Sequence, residues 1–231
     1  VVNFGEVILL PKVLRHAVYF FKVLLAGMSA DIIYAQDPVS VGLPAMLVAK
    51  ILRKKLYLKI VGDYAWEQGI QRYGVTDLLD NFSCACTKYS LPVRFLKRVQ
   101  LFVAKRAYKI ITPSNYLKKI ITNWGVSEDM IEVIYNGFTP PTFSEKKETI
   151  REDLNIRGYT VLSIGRLVPW KGFEGLIETI PSLRLEIPDV HLYIAGEGPD
   201  KELLKKKITE MELENHVTLL GKLPQDKLFE Y

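Results

Sequence analysis

The chain has 231 residues and a formal net charge of +5, with 48% hydrophobic and 25% charged residues, the balance of an ordinary soluble globular protein with one large domain or two smaller ones. Cys84 and Cys86, separated by one residue, are badly spaced for a disulfide and too few for a structural zinc site. With no signal peptide and no apolar run long enough to span a bilayer, the expected location is cytoplasmic.

From the N-terminus, "HAVYFFKVLLAGM" is interrupted by Lys22 and reads as a buried or interfacial helix. Short β-branched runs then alternate with helical ones: strand 31–35, helix 42–52, strand 54–62, and a long, less regular region over 63–90. Residues 91–107 form an amphipathic helix with Phe95, Val99, Phe102 and Val103 on one side, and Arg94, Lys97, Arg98 and Lys105 largely opposite. Strand 108–114, helix 115–125 closed by Gly125, and strand 131–137 follow. "YNGFTPPTFSEKKET", with Gly137, Pro140 and Pro141, is the best linker in the chain. Beyond it the alternation restarts with strand 159–164, helix 171–187, strand 190–195, helix 199–213 and strand 216–220. The pattern is that of two parallel α/β units: residues 1–138, a linker and domain entry over 139–152, and residues 153–231. The opening without methionine and the close on "LPQDKLFEY" read as an internal fragment, truncated at both ends.

Charge is unevenly spread. No acidic residue lies between Asp80 and Glu128, a stretch that holds nine lysines and arginines. Such a face suits an anionic membrane surface or a polyanion, and equally a solvated face balanced by acids elsewhere in space.

In parallel α/β sheets, ligands gather at the carboxyl ends of the strands, where helices begin. "VLSIGRLVPWKGFEGLIETI" places Arg166 and Lys171 in one such turn. Arginine grips phosphate oxygens with paired hydrogen bonds, lysine adds a compact charge, and the helix N-terminus adds unpaired N–H groups. A cation at that helix end opposes the macrodipole unless an anion compensates, although two solvated surface cations remain the plain alternative. Gly165 and Gly172 would let backbone approach closely. The next turn, Gly196-Glu197-Gly198-Pro199, is again glycine-containing and again opens a helix.

These stretches, with "VTLLGKLP" after them and "DIIYAQDP", "AYKIITPSNYLKKIITNWGV" and "IEVIYNGF" before them, resemble family-4 retaining glycosyltransferases of the GT-B fold. The resemblance implies two Rossmann-like parallel-sheet domains, both incomplete in this chain: an acceptor-side domain first and a nucleotide-sugar domain second. It implies that Arg166 and Lys171 are the catalytic cations on the donor diphosphate, that Gly165, Gly196 and Glu197 help bind the nucleotide sugar, and that Lys222 and Leu223 lie beside the base. No cofactor and no metal are expected; the donor is a UDP- or GDP-sugar. The activity implied is a hexosyltransferase-type transfer to a saccharide or lipid-linked acceptor, in polysaccharide or glycolipid assembly. The basic helix 91–107 would then rest on an anionic membrane at its inner face. The glycine-rich N-terminal loop and the paired glutamates of the family are absent from these residues, and "KIVGDYAWE" lacks the histidine many members place there.

That leaves Asp63 and Glu67 after strand 54–62, and Asp37 after strand 31–35, as polar groups for acceptor or donor sugar; Asp63 and Asp37 equally suit helix caps. Tyr64 and Trp66 could stack on a sugar or simply pack. His191 and His216 read as structural strand residues. A sugar-nucleotide epimerase of the same fold is the second reading, short of acid/base carboxylates. A nucleic-acid-binding protein is the third, and lacks reader motifs, so no nucleic-acid partner is expected. No Gly-x-Gly-x-x-Gly opens a helix as a dinucleotide oxidoreductase would require.

Overall fold

Period-2 alternation sends every second strand residue into the sheet's covered face, and the α/β order makes neighbouring strands parallel. The computed structural model describes residues 1–84, 88–139, 141–142 and 146–231, with residues 12 and 13 described by backbone alone. Cys86 lies outside the described residues, while Cys84 carries an exposed thiol. The chain divides into two units, Val1–Gly137 and Phe138–Tyr231.

The first unit runs α1 (Lys12–Met28), β1 (Ile32–Ala35), α2 (Gly42–Ile51), β2 (Lys55–Lys59), α3 (Tyr64–Tyr73), α4 (Leu79–Cys84), α5 (Leu91–Ala104), β3 (Lys109–Thr112), α6 (Asn115–Asn123) and β4 (Ile131–Val133). Its strands pair in parallel in the order β1-β2-β3-β4. Register places Ala35 beside Leu58 and Leu58 beside Ile110, and these pairs form the centre of the core. Leu58, Ile110, Ile120 and Ile121 are fully buried, each stabilising by about 1.5–3 kcal/mol. Ser114 caps α6 by accepting the Leu117 N–H at 3.2 Å, and Gly125, at φ +92°, follows the helix end.

The region 63–90, expected to be irregular, contains α3 and α4. Asp63 starts α3 by accepting from the Trp66 N–H, and Gly74 ends it in the left-handed region at φ 66°. The faces of α5 also differ from expectation. Val93, Gln100, Val103 and Ala104 are buried, while Leu91, Phe95 and Phe102 are 76%, 64% and 43% exposed. Small and β-branched side chains let α5 approach its neighbours closely, so the aromatics turn outward beside Arg94 and Arg98. On α1, Tyr19 and Val23 are buried and Phe21, Leu25 and Met28 are exposed.

The second unit runs α7 (Lys147–Asp153), β5 (Thr160–Ile164), α8 (Phe173–Glu186), β6 (His191–Ala195), α9 (Lys201–Glu210), β7 (Val217–Gly221) and α10 (Gln225–Leu228). The stretch read as a linker and domain entry over 139–152 thus contains most of a short helix, α7. The sheet is parallel, in the order β5-β6-β7, with an irregularity between Ile194 and Ala195 that brings Ala195 opposite Gly221. Ile177 and Ile180 of α8 and Leu204 and Ile208 of α9 bury against Leu192 and Ile194.

Candidate functional site

At the carboxyl ends of β5, β6 and β7 the backbone itself draws three loops together. The Gly165 N–H donates to the Ala195 carbonyl at 3.0 Å, and the Gly196 N–H to the Gly221 carbonyl at 2.8 Å. The Leu167 N–H donates to the Glu197 carbonyl at 3.0 Å. Two of these contacts need glycine. Gly196 has φ +147°, and a Cβ there would stand 1.8 Å from the Gly165 carbonyl oxygen; a Cβ on Gly198 would stand 2.1 Å from the Leu167 oxygen.

The close approach leaves a cleft of about 130 Å³. Gly165, Arg166, Gly196, Glu197, Lys222 and Leu223 all line it. Every one of them was expected at the nucleotide-sugar site from the sequence. Ile164, Ala195 and Leu228 complete the wall; no motif marked these, because they are apolar residues that strand ends and α10 bring there. Lys171 is placed by the turn Pro169–Lys171, and its Cδ passes 4.0 Å from the Cβ position of Gly165. Helix α8 begins at Phe173, just after Lys171, because Gly172 sits in the left-handed region at φ 71°.

The charges there are unbalanced. Arg166, Lys171 and Lys222 are exposed and form no ion pair or hydrogen bond with side chains among the described residues. Glu197, the carboxylate of the cleft, is held by Lys201, the first residue of α9, at 2.8 Å. Glu174, in the first turn of α8, is held by Lys207 at 2.6 Å. Glu197 and Glu174 are thus each held by a lysine within unit 2, and no acid is paired with Arg166, Lys171 or Lys222 among the described residues.

The carboxylates expected to meet a sugar in unit 1 fare differently. Asp63 is 1% exposed and turned into the core. It accepts from the Trp66 N–H, from Gln100 Nε2 at 3.1 Å and from Trp124 Nε1 at 3.0 Å. Burial pushes its carboxyl above the ordinary value, against the pull of these donors. It is a cap and a core hydrogen-bond hub rather than a sugar contact, because all of these donors approach from inside the fold. Asp37 likewise spends both oxygens on its own loop, accepting from Val39 N–H at 2.9 Å and Val41 N–H at 2.8 Å. Its carboxyl too is raised, first by burial. Glu67, in the first turn of α3, lays its carboxylate against Gly62, whose Cβ would stand 2.6 Å from it. Trp66 donates its indole N–H to the Asp77 carbonyl at 2.8 Å, and Tyr64 meets Ser40 at 3.0 Å, so both rings are tied into the fold.

His191 pairs with Thr218 at 2.8 Å across β6 and β7, and His216 with the Val190 carbonyl at 3.1 Å. Both are structural, as the sequence suggested. Unit 1 holds a larger cleft of about 510 Å³ that includes Arg15, His16 and Arg72. The sequence did not single these out, since a lone arginine on a helix carries no pattern.

Comparison with known proteins bears on these features. Residues 146–231 match the family model for glycosyl transferases group 1. The phosphatidylinositol N-acetylglucosaminyltransferase GPI3 subunit of Saccharomyces cerevisiae is 30% identical over 142 residues, covering 58% of this chain and 30% of that protein. A Campylobacter jejuni N-acetylgalactosamine-N,N'-diacetylbacillosaminyl-diphospho-undecaprenol 4-alpha-N-acetylgalactosaminyltransferase is 30% identical over 132 residues, covering 57% of this chain and 34% of that protein. The chain thus spans about a third of the length of these relatives. Among solved structures, Anabaena HepE in complex with UDP and glucose superposes with a TM-score of 0.69 at 23% identity, over 90% of this chain and 52% of that one. Sucrose-phosphate synthase from Thermosynechococcus elongatus gives 0.67 at 17% identity, over 94% and 52%. Residues 146–231, which contain the whole cleft with Arg166 and Lys222, therefore match the glycosyl transferases group 1 family, and the α/β fold of the chain is that of GT-B glycosyltransferases.

Proposed function

We propose that this chain carries the donor site of a glycosyltransferase that moves a hexosyl group from a UDP- or GDP-sugar to a saccharide or lipid-linked acceptor. The observation that carries this reading is the cleft of unit 2, where Arg166 and Lys222 converge at the strand ends with Lys171 alongside and no acid pairing them among the described residues. A diphosphate supplies the anion that this arrangement lacks. Arg166 and Lys171 bind its oxygens and neutralise the charge that grows on the nucleoside diphosphate as the glycosidic bond breaks. Gly165 and Gly196 let the diphosphate approach backbone, and the Lys222-Leu223 loop flanks the base. The side-chain cations and the α8 N-terminus carry the leaving-group charge in this mechanism, with no metal assigned to that task.

Transfer proceeds with retention: the acceptor hydroxyl attacks from the face the diphosphate leaves, and a phosphate oxygen takes its proton. No protein nucleophile is needed. An epimerase would call for acid/base carboxylates at the diphosphate, and Glu197 is already paired with Lys201. The activities of the relatives, a phosphatidylinositol N-acetylglucosaminyltransferase subunit and a transferase acting on a diphospho-undecaprenol substrate, support polysaccharide or glycolipid assembly. Among the described residues no helix is long and apolar enough to cross a membrane. The outward stripe of α5, with Leu91, Phe95 and Phe102 beside Arg94 and Arg98, suits docking on the anionic inner face of one.

Calorimetric titration of UDP and GDP into the chain and into Arg166→Ala and Lys171→Ala tests the donor site. Each substitution is expected to cost about 1.5–3 kcal/mol of diphosphate binding, the range of a charge-assisted hydrogen bond. Unchanged affinity in both variants removes the assignment.

A further inference from the structure

We propose that the cleft bounded by α1, α2, α3 and α5 holds the hydrocarbon chain of a phosphorylated lipid, with Arg15 and Arg72 on its phosphate. At about 510 Å³ the cleft has the size of a ligand site, within the range of about 300–1,000 Å³ usual for such pockets. It adjoins the carboxyl ends of β1 and β2, through Val39 and Ser40 after the first and Tyr64 after the second, the edge at which parallel sheets collect ligands.

One continuous part of its wall is apolar. Phe20 comes from α1, Leu43 and Leu47 from α2, and Phe95 and Val99 from α5. Ser40, Tyr64, Gln68 and Tyr73 also line the cleft, with the Ser40 and Tyr64 hydroxyls bonded to each other at 3.0 Å; the apolar stretch itself offers no partner to a buried sugar hydroxyl. A hydrocarbon chain gains from the same surface.

The charged side chains in its lining, Arg15 and Arg72, are both cations. Arg15 is half-buried, and its Nε is shut off from solvent without a hydrogen-bond partner. A buried donor left unpaired is costly, and a phosphate oxygen would satisfy it. Arg72, in the last turn of α3, is exposed at the same cleft. Among the described residues neither arginine forms an ion pair. Asp37, the acid nearest His16, has both oxygens committed to the Val39 and Val41 N–H groups. The cleft therefore pairs an oily wall with uncompensated cations, and a phosphate on a hydrocarbon chain complements both. Phe95 belongs to the wall and also to the outward stripe of α5, and Leu47 is likewise 42% exposed, so the cleft opens toward the surface that would face a bilayer.

The role of this lipid as glycosyl acceptor rests on the glycosyltransferase reading; its binding does not. Farnesyl phosphate is titrated calorimetrically into the 231-residue chain, with farnesol and inorganic phosphate as controls and UDP in parallel. Saturable farnesyl phosphate binding is expected, about tenfold or more tighter than either control. The Arg15→Gln, Arg72→Gln double variant should weaken farnesyl phosphate about tenfold and leave farnesol unchanged. Leu47→Trp, at an exposed position of α2, should fill the cleft and weaken both lipids with the circular dichroism spectrum intact. No saturable lipid binding in a chain that still binds UDP overturns the cleft assignment and spares the donor site. So does inorganic phosphate binding as tightly as farnesyl phosphate, or wild-type affinity in both the arginine and Leu47 variants. Lipid binding in a chain that fails to bind UDP upholds the cleft assignment and overturns the donor site instead.

Discussion

A single methyl group at position 196 would stand 1.8 Å from the Gly165 carbonyl oxygen, so the cleft of unit 2 owes its shape to an atom that is missing. The same scale separates Asp63 from Arg166. Arg166 is exposed at a strand end with no acid to hold it, whereas Asp63 gathers a backbone amide, a carboxamide and an indole N–H into the core. Asp63→Ala would strand these donors where water does not reach. It is expected to destabilise unit 1 by about 3 kcal/mol or more, read by urea denaturation, while UDP affinity stays unchanged. An Asp63→Ala protein as stable as the wild type, but weak in ligand binding, would return Asp63 to the site.

Helix α5 shows how an element can carry two messages in one amphipathic pattern. Its buried stripe uses Val93, Val103 and Ala104, which pack closely, and its larger apolar groups face solvent among arginines. Replacing Leu91 and Phe95 together by serine removes exposed apolar surface and little packing. Stability should therefore change by no more than about 0.5 kcal/mol per site. Co-sedimentation with phosphatidylglycerol vesicles should fall several-fold, and the wild-type interaction should weaken with added salt. Wild-type binding that is indifferent to the anionic lipid content would sink the membrane role of α5.

Across the whole molecule, each unit keeps a histidine in a partly buried place. His16 and His191 both have pKa values lowered from 6.5, burial being the largest cause. A base with a depressed folded-state pKa stabilises the fold above its unfolded value. That stabilisation is lost as pH falls through the folded value, because the unfolded chain binds the proton first. Asp37 and Asp63, raised from 3.8 chiefly by burial, act in the opposite sense: their contribution is complete below 3.8 and is lost as pH rises through their folded values. Between about pH 7 and about pH 5 the histidines are expected to dominate the loss of stability. His191→Gln should make that decline shallower in urea denaturation run across the range, and an unchanged slope would show that His191 takes up no proton there.

Much of this was legible in the residue string. Strand and helix periods are local, so the two parallel α/β units and nearly all their elements could be read from neighbours within a few positions. The Gly165-Arg166, Lys171-Gly172 and Gly196-Glu197 stretches could be placed in one site because parallel strands bring successive strand ends to one edge. Tertiary structure alone decided the rest. Asp63 looks like any polar residue after a strand until Gln100 and Trp124, distant in sequence, close over it. Phe95 and Phe102 obey a helical period whichever way they face; the direction was set by which side chains let α5 approach α2 and α3. Arg15 and Arg72 share a cleft only because α1 and α3 meet there, and no spacing along a chain records a meeting in space.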